Sequence, residues 1–330
     1  MRDRTLILSR NDIAELLTID ECIGAVEQAF RLHAQGKSLP PGVLSIPAKD
    51  GGFHIKAAGL DLGKLYVAVK VNGNFFFNKQ RFGMPNIQGV IILCDGENGY
   101  PLAVMDSIEI TIVRTGAATA VAARYLARPD SSTATICGCG NQGRIQLRAL
   151  LRVLPIARVH AFDLDKREAI RFADEVSSDL GIDIDAITDL ELSIRQSDVV
   201  VTCTPSRQSF LQKEWISPGT FVAAVGADSP DKQELEPELL ATNRVVVDVL
   251  EQCATIGELH HAIEKGLTRR DSGHTELGDV VAGRAPGRTS QDEIIIFDST
   301  GTALQDVAAA VVVYEKAQRT GKGRLESLLA

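Results

Sequence analysis

No run of apolar residues in the 330-residue chain approaches the roughly 20 needed to cross a bilayer, which argues against a membrane protein. The opening residues, MRDRTLILSRND, lack the apolar core of a secretory signal, so a cytoplasmic protein is expected. There is no long basic run, and the net charge is −8, so nucleic acid is not the expected partner. Six cysteines in a chain of this length do not make a disulfide framework. Cys137 and Cys139 are close in sequence, but no further ligands stand near them, so no metal is expected. Internal repeats and low-complexity tracts are also missing. What remains is a globular composition, 45% hydrophobic and 24% charged, with length for about two domains.

The stretch TATICGCGNQG, Thr133 to Gly143, organises the rest. Thr133–Cys137 is a short β-branched run that reads as a buried strand. Gly138, Gly140 and Gly143 follow in the pattern G-x-G-x-x-G. From Gln142 the periodicity is helical, with Ile145, Leu147, Leu150, Leu151 and Leu154 on the apolar face. Strand, glycine turn and helix in that order form a dinucleotide site. The first glycine permits the turn, the second admits a pyrophosphate to the backbone, and the third lets helix and strand pack. The helix N-terminus then faces the anion.

Before this stretch, Asn11 to Gly36 reads as helical, with Thr18 and Glu21 as a capping box and Ile23, Val26, Ala29 and Phe30 as a buried stripe. Strands are expected at Val43–Ile46, Gly52–Ala58, Leu65–Val71, Ile87–Cys94 and Leu102–Met105, the last two joined by a tight hairpin. Asn72-Gly73-Asn74 and Gly83-Met84-Pro85 bound a loop holding Phe75, Phe76 and Phe77 with Lys79 and Arg81. It reads either as a packed loop or subunit contact, or as a lid over a pocket. Ile108–Leu126 is a helix of small residues, with Arg114 near its start.

After the glycine turn, strands at Ala157–Phe162, Ile182–Ile187, Asp198–Thr202, Thr220–Val225 and Arg244–Val247 alternate with helices, as in a doubly wound parallel sheet. Ile294–Phe297 is one more strand. The closing helix Thr302–Ala317 is too apolar for a surface position and is expected to pack on the first domain. The tail from Gly321 reads as peripheral. The fold class is therefore α/β. A Rossmann domain is expected at 127–299, and a discontinuous α+β domain at 1–126 and 300–330.

Asp163 ends the second strand of this domain, where a carboxylate accepts from the ribose 2′-OH of NAD and repels the 2′-phosphate of NADP. NAD is expected, with Lys166 and Arg167 leaving NADP open. Thr202-Cys203-Thr204-Pro205 and Val225-Gly226-Ala227-Asp228 follow strand ends, where ligands sit in open sheets. Thr204, Val225 and Gly226 can line the cofactor. Asp228 is either a turn former or a general acid/base. Lys70, in LYVAVKV, needs water, a partner or a ligand, and Lys56 in FHIKAA poses the same problem. Alternation puts His54 and Lys56 on one face. Converging cations would suit a carboxylate substrate.

These residues carry a wider likeness. LAVMDSIEITIVRTGAATAVAARYLA, ICGCGNQG, VTCTPSR, EWISPGTFVAAVGADSPDKQEL and FDSTGTALQDVA resemble the ornithine cyclodeaminase/μ-crystallin family, and within it the archaeal-type alanine dehydrogenases. The resemblance implies a homodimer whose substrate and dimerisation domain is built from both chain ends. It implies an NAD(H)-dependent amino-acid dehydrogenase or imine reductase acting on a small amino or imino acid. A cyclodeaminase with internally recycled NAD, or a nucleotide-binding protein with little catalysis, are the alternatives. By resemblance, Lys70 and Arg114 bind the substrate carboxylate, and Asp228 moves the proton. Thr115, Asn141, Gln142, Asp163 and Ser299 join the glycines on the cofactor. The chain departs from the family at Gly42, where relatives carry a basic residue, and at Lys56. The altered pocket could serve a second carboxylate or a larger imino acid.

Overall fold

The computed structural model of the chain describes residues 4–328. Contacts divide it into two compact units, one made of the residues up to Ala117 with those from Thr302 on, the other of Ala118–Gly301. The division falls inside the helix Ile108–Leu126 rather than after it, where the sequence boundary at 126 placed it. The end of that helix is tied to the second unit: Arg288 donates from its backbone N to Tyr125 O and from Nε to Leu126 O.

The first unit is a sheet covered by helices. Its strands are β1 (Thr5–Leu8), β2 (Ser38–Ala48), β3 (Gly51–Asp61), β4 (Leu65–Phe75), β5 (Ile87–Asp95) and β6 (Pro101–Asp106). The order is Arg324–Glu326, β1, β6, β5, β4, β3, β2. All neighbours are antiparallel except β1 and β6. The tail is thus a paired edge strand, with Leu6 opposite Leu325, and its residues are exposed. Four-residue β1 was missed because so short a run carries no period, and three-residue Arg324–Glu326 likewise. The expected loop after Val71 is also corrected. β4 continues to Phe75, since Asn72, Gly73 and Asn74 pair with β3 and β5 there, and Asn78–Phe82 is a short helix. The helix Ile19–Ala34 begins at the expected Thr18/Glu21 capping box. The helix Ala303–Thr320 packs on it and on β3, β4 and β5. Leu304, Val307 and Val313 of that helix are fully buried, each such side chain contributing about 1.5–3 kcal/mol.

The second unit carries an eight-stranded parallel sheet and a small two-stranded one. Its strands are β7 (Thr133–Cys137), β8 (Arg158–Phe162), β9 (Asp183–Ala186), β10 (Val199–Thr202), β11 (Arg207–Leu211), β12 (Phe221–Ala224), β13 (Gln233–Leu235), β14 (Arg244–Val247), β15 (Thr275–Glu276) and β16 (Ile295–Asp298). The large sheet runs β15-β14-β16-β12-β10-β7-β8-β9, and β11 pairs with β13. From β7 the chain winds outward through β8 and β9, then returns to β10 on the other side. The order reverses between β7 and β10, where open α/β sheets bind their ligands. β7, β10 and β12 have no exposed residue, as parallel strands covered on both faces require. The pair β11 and β13 was not anticipated, being too short to show alternation. No described helix is long and apolar enough to cross a membrane.

Candidate functional site

The turn after β7 has the geometry its glycines suggest. Gly138 takes φ +105°, and a Cβ there would stand 2.9 Å from Cys203 O. A Cβ on Gly143 would stand 2.1 Å from Gly138 O, so only glycine lets the helix Asn141–Leu150 sit this close to the turn. Gly140 differs: nothing lies within 4 Å of its missing Cβ, so the space over this backbone is open. No side chain caps the helix at Gly140, and the first helical bond runs from Arg144 N to Gly140 O. The amides of Asn141, Gln142 and Gly143 precede the ladder, as anion-binding amides do. Gln142 Oε1 is buried without a hydrogen-bond partner among the described residues. An open backbone, an uncapped helix start and an unused acceptor fit a dinucleotide.

Asp163 stands just past β8, fixed by two backbone donors: Cys139 N to Oδ2 at 2.9 Å and Asp165 N to Oδ1 at 3.0 Å. Arg167, one of the two cations that left NADP open, is engaged by Asp165 through Nε (3.1 Å) and Nη2 (2.8 Å). Burial pushes the Cys139 thiol up to about 12 and raises the Cys137 thiol well above its ordinary value, so both stay protonated.

On the other side of the reversal, Val225 N bonds Thr202 O and Ser299 N bonds Ala224 O, which gathers the ends of β10, β12 and β16. Thr204 donates to Glu234 Oε1 from N (2.6 Å) and Oγ1 (2.7 Å), and Gly226 N donates to Glu234 Oε2 (2.9 Å). The glycine at 226 therefore has another cause than ligand approach: a Cβ there would lie 2.4 Å from the Glu234 carboxylate. Asp228 is half exposed, and Lys232 Nζ donates to its Oδ1 at 2.6 Å.

The first unit holds a buried cationic cluster. Lys56 and Lys70 face each other across β3 and β4, both on the helix-covered side with Ile91 and Met105. Like charges in this position repel. Lys70 Nζ lies 2.7 Å from Asp306 Oδ2, and Arg114 Nε lies 3.1 Å from Asp306 Oδ1. Arg114 Nη1 also donates to Gln305 Oε1 at 2.7 Å. Burial, then the Arg114 charge, push Lys70 down to about 7 against the pull of Asp306. Burial alone would raise the Asp306 pKa, but Lys70 and Arg114 outweigh it and hold the carboxyl below its usual value. His54 is one pair further along, opposite Asn72, whose Oδ1 accepts from Ser107 Oγ at 2.5 Å. Thr115 follows Arg114, its hydroxyl donating to Thr111 O.

Asp306 and Gln305 were not anticipated. The signal was present: an aspartate in TALQDVAAAVVV raises the same question as a lysine in LYVAVKV. Glu234 was missed because β13 was.

Known proteins resemble the chain over nearly its whole length. The profile of the ornithine cyclodeaminase/mu-crystallin family matches residues 3–321. The chain is 42% identical over 313 residues to an alanine dehydrogenase of Archaeoglobus fulgidus, covering 95% of each. A solved archaeal alanine dehydrogenase dimer with bound NAD superposes with TM-score 0.94 at 41% identity, over 99% of this chain and 100% of that one. The Δ(1)-pyrroline-2-carboxylate reductase of Thermococcus litoralis, solved with NADH and L-proline, gives TM-score 0.91 at 34% identity, over 97% and 99%. The chain belongs to the ornithine cyclodeaminase/mu-crystallin family.

Proposed function

We propose that the chain is an NAD(H)-dependent amino-acid dehydrogenase or imine reductase. It transfers hydride between the nicotinamide and the α-carbon of a small amino or imino acid. The observation that carries the reading is the buried cluster of Lys56, Lys70 and Arg114 around Asp306, in a chain that also has the dinucleotide turn. Buried cations gathered at a fixed carboxylate suit a carboxylate ligand. The relatives named above carry NAD, or NADH with L-proline, and proline has its carboxylate and nitrogen on the same carbon.

In this reading the amides of Asn141, Gln142 and Gly143 face the pyrophosphate, and Gly140 leaves the space for it. Asp163 accepts from the adenosine ribose. Thr204, Val225, Gly226, Ser299 and Thr115 belong to the cofactor's surroundings. NAD, when bound, supplies the hydride acceptor and NADH the donor. Arg114, oriented by Gln305 and Asp306, forms the carboxylate clamp with Lys70. With its ammonium held near neutrality, Lys70 can also give a proton to the reacting nitrogen or take one from it. Lys56 and His54 extend the pocket. Asp228 activates water or ammonia, or relays the proton. Arg167 is drawn to Asp165, which favours NAD over NADP.

The working unit in this reading is a homodimer in the cytoplasm. Leu44, Ile46 and Phe53 are exposed on β2 and β3, an apolar surface that a second copy would cover, and all six cysteines are free. A monomer by light scattering at micromolar concentration would remove the dimer.

The decisive experiment follows NADH oxidation with 2-oxo acids plus ammonia or methylamine, and with cyclic imines. Oxidation with at least one of them is expected. No activity would favour a nucleotide-binding protein with little catalysis. Ammonia release from ornithine or lysine without net NADH would establish a cyclodeaminase instead.

A further inference from the structure

Four acidic side chains of the second unit are almost completely buried: Glu234, Asp248, Glu258 and Asp298. Three of them form a sequence of backbone clamps. Asp298 accepts from the amides of Glu258 (3.2 Å) and Leu259 (2.9 Å), the first residues of the helix Glu258–Glu264. The Glu258 carboxylate accepts from the amides of Glu234 (2.7 Å) and Leu235 (3.2 Å) in β13. The Glu234 carboxylate accepts from Thr204 and Gly226. Each carboxylate fixes the backbone that bears the next, and the last fixes the loops after β10 and β12. Asp248 closes the far end, taking Gly301 N at 2.7 Å and Thr300 Oγ1 at 3.0 Å, while its own N donates to Asp298 O.

The sheet order says which part of a dinucleotide these loops meet. The glycine turn follows β7, and Asp163 stands past β8 on one side of the reversal. Thr204 and Gly226 follow β10 and β12 on the other. A dinucleotide lies across such a reversal, so if Asp163 takes the adenosine ribose, the β10 and β12 loops take the nicotinamide half. We propose that Glu234 is a positioning residue that sets the Thr204 and Gly226 loops for the nicotinamide half of the cofactor, and that Glu258 and Asp298 hold it in place. This rests on the reading of the Thr133–Gly143 turn as a nucleotide site.

Two features support a dedicated role. Each Glu234 oxygen has its own loop to hold, Oε1 for residue 204 and Oε2 for residue 226, and an amide side chain can satisfy only one of them. Gly226 has no Cβ, and a Cβ would occupy the place of that carboxylate. Burial raises the Glu234 pKa, with the bonds from Thr204 and Gly226 opposing.

The test is calorimetric titration of the full chain with NADH and, separately, with ADP, which has the adenosine and pyrophosphate but no nicotinamide. In Glu234→Gln the new NH₂ faces one of the two loop amides. NADH should bind about tenfold more weakly, with ADP within about twofold of the unmutated protein. Glu258→Gln acts one step removed and should weaken NADH about threefold, again sparing ADP. If Glu234→Gln does not fold, Glu258→Gln decides alone. Unchanged NADH affinity, or equal losses for NADH and ADP, would overturn the positioning role. A failure of the unmutated protein to bind either nucleotide is a different result: it would remove the nucleotide reading, and this inference with it.

Discussion

The two units treat buried charge in opposite ways. In the first, the charge is mainly cationic, and side chains answer side chains. Lys70 and Arg114 share Asp306, while Lys56 stands directly across from Lys70. In the second, the charge is anionic, and the backbone answers it, through the amides of residues 204, 226, 234, 235, 258 and 259. Carboxylates satisfied by amides make a rigid frame without any ligand. Buried lysines that repel each other do not, and on the proposed reading a carboxylate ligand would relieve them. On the proposed function this contrast is a division of labour: backbone shape would hold the nucleotide, and charge the substrate.

The largest effect that would separate these roles from chemistry is at Asp228. It belongs to the second unit but not to its buried frame, being half exposed and paired with Lys232. Asp228→Asn should lower kcat about 10³-fold, the scale of general acid/base catalysis, while NADH affinity by titration stays within about twofold. Retained turnover would take the proton-handling role away from Asp228.

A smaller effect is expected at the cationic cluster. Lys70→Met should lower kcat/KM about 10²-fold, mostly through KM for the substrate, with NADH affinity unchanged. The pH dependence follows from the same group. A carboxylate ligand needs the ammonium, and burial brings Lys70 down to about 7. KM for the substrate should therefore rise as pH increases above about 7, and this limb should vanish in Lys70→Met. Folding responds in the opposite sense. An unfolded lysine titrates near 10.4, so between about 7 and 10.4 the unfolded chain binds more protons than the folded one. The buried ammonium costs most stability below about 7, and the cost is relieved as pH rises toward 10.4. A thermal melt in this window that falls with pH, after subtraction of the Lys70→Met curve, would contradict the burial argument.

The same contrast explains what could be read from the sequence. The nucleotide half depends on neighbours: β7, three glycines and a helix start lie within Thr133–Leu150, and Gly138 and Gly143 each have a local steric duty, while Gly140 leaves open space. Such a motif is legible because its geometry is short-range. The parallel sheet was legible for a related reason, since strands buried on both faces are continuous apolar runs. The cationic half is assembled from residues 56, 70, 114 and 306, brought together by strand register and by a helix from the far end of the chain. Lys70 and Arg114 could be suspected singly, but no spacing rule links them to Asp306. Glu234 was hidden for a third reason, lying on a three-residue strand paired only with the short β11 among the described residues.

The smallest expected effect tests the backbone half within one turn, by comparing two glycines that differ in what surrounds them. Gly140 has φ −79°, which alanine adopts without strain, and nothing lies within 4 Å of its missing Cβ. A methyl there meets no protein atom and can obstruct only what enters the open space. Gly140→Ala should leave the melting temperature within about 1 °C and weaken NADH about tenfold. Gly143 has the reverse surroundings, with Gly138 O 2.1 Å from the position of a Cβ. Gly143→Ala must push the helix Asn141–Leu150 away from the turn, at a cost of about 1–3 kcal/mol typical of overpacking. The melt should fall by several degrees, and NADH binding should weaken as a consequence. If instead Gly140→Ala lowers the melt and spares NADH, the space over that backbone is not where the pyrophosphate lies. The nucleotide would then have to be held by side chains, as is proposed for the substrate, and the division between the two units would not stand.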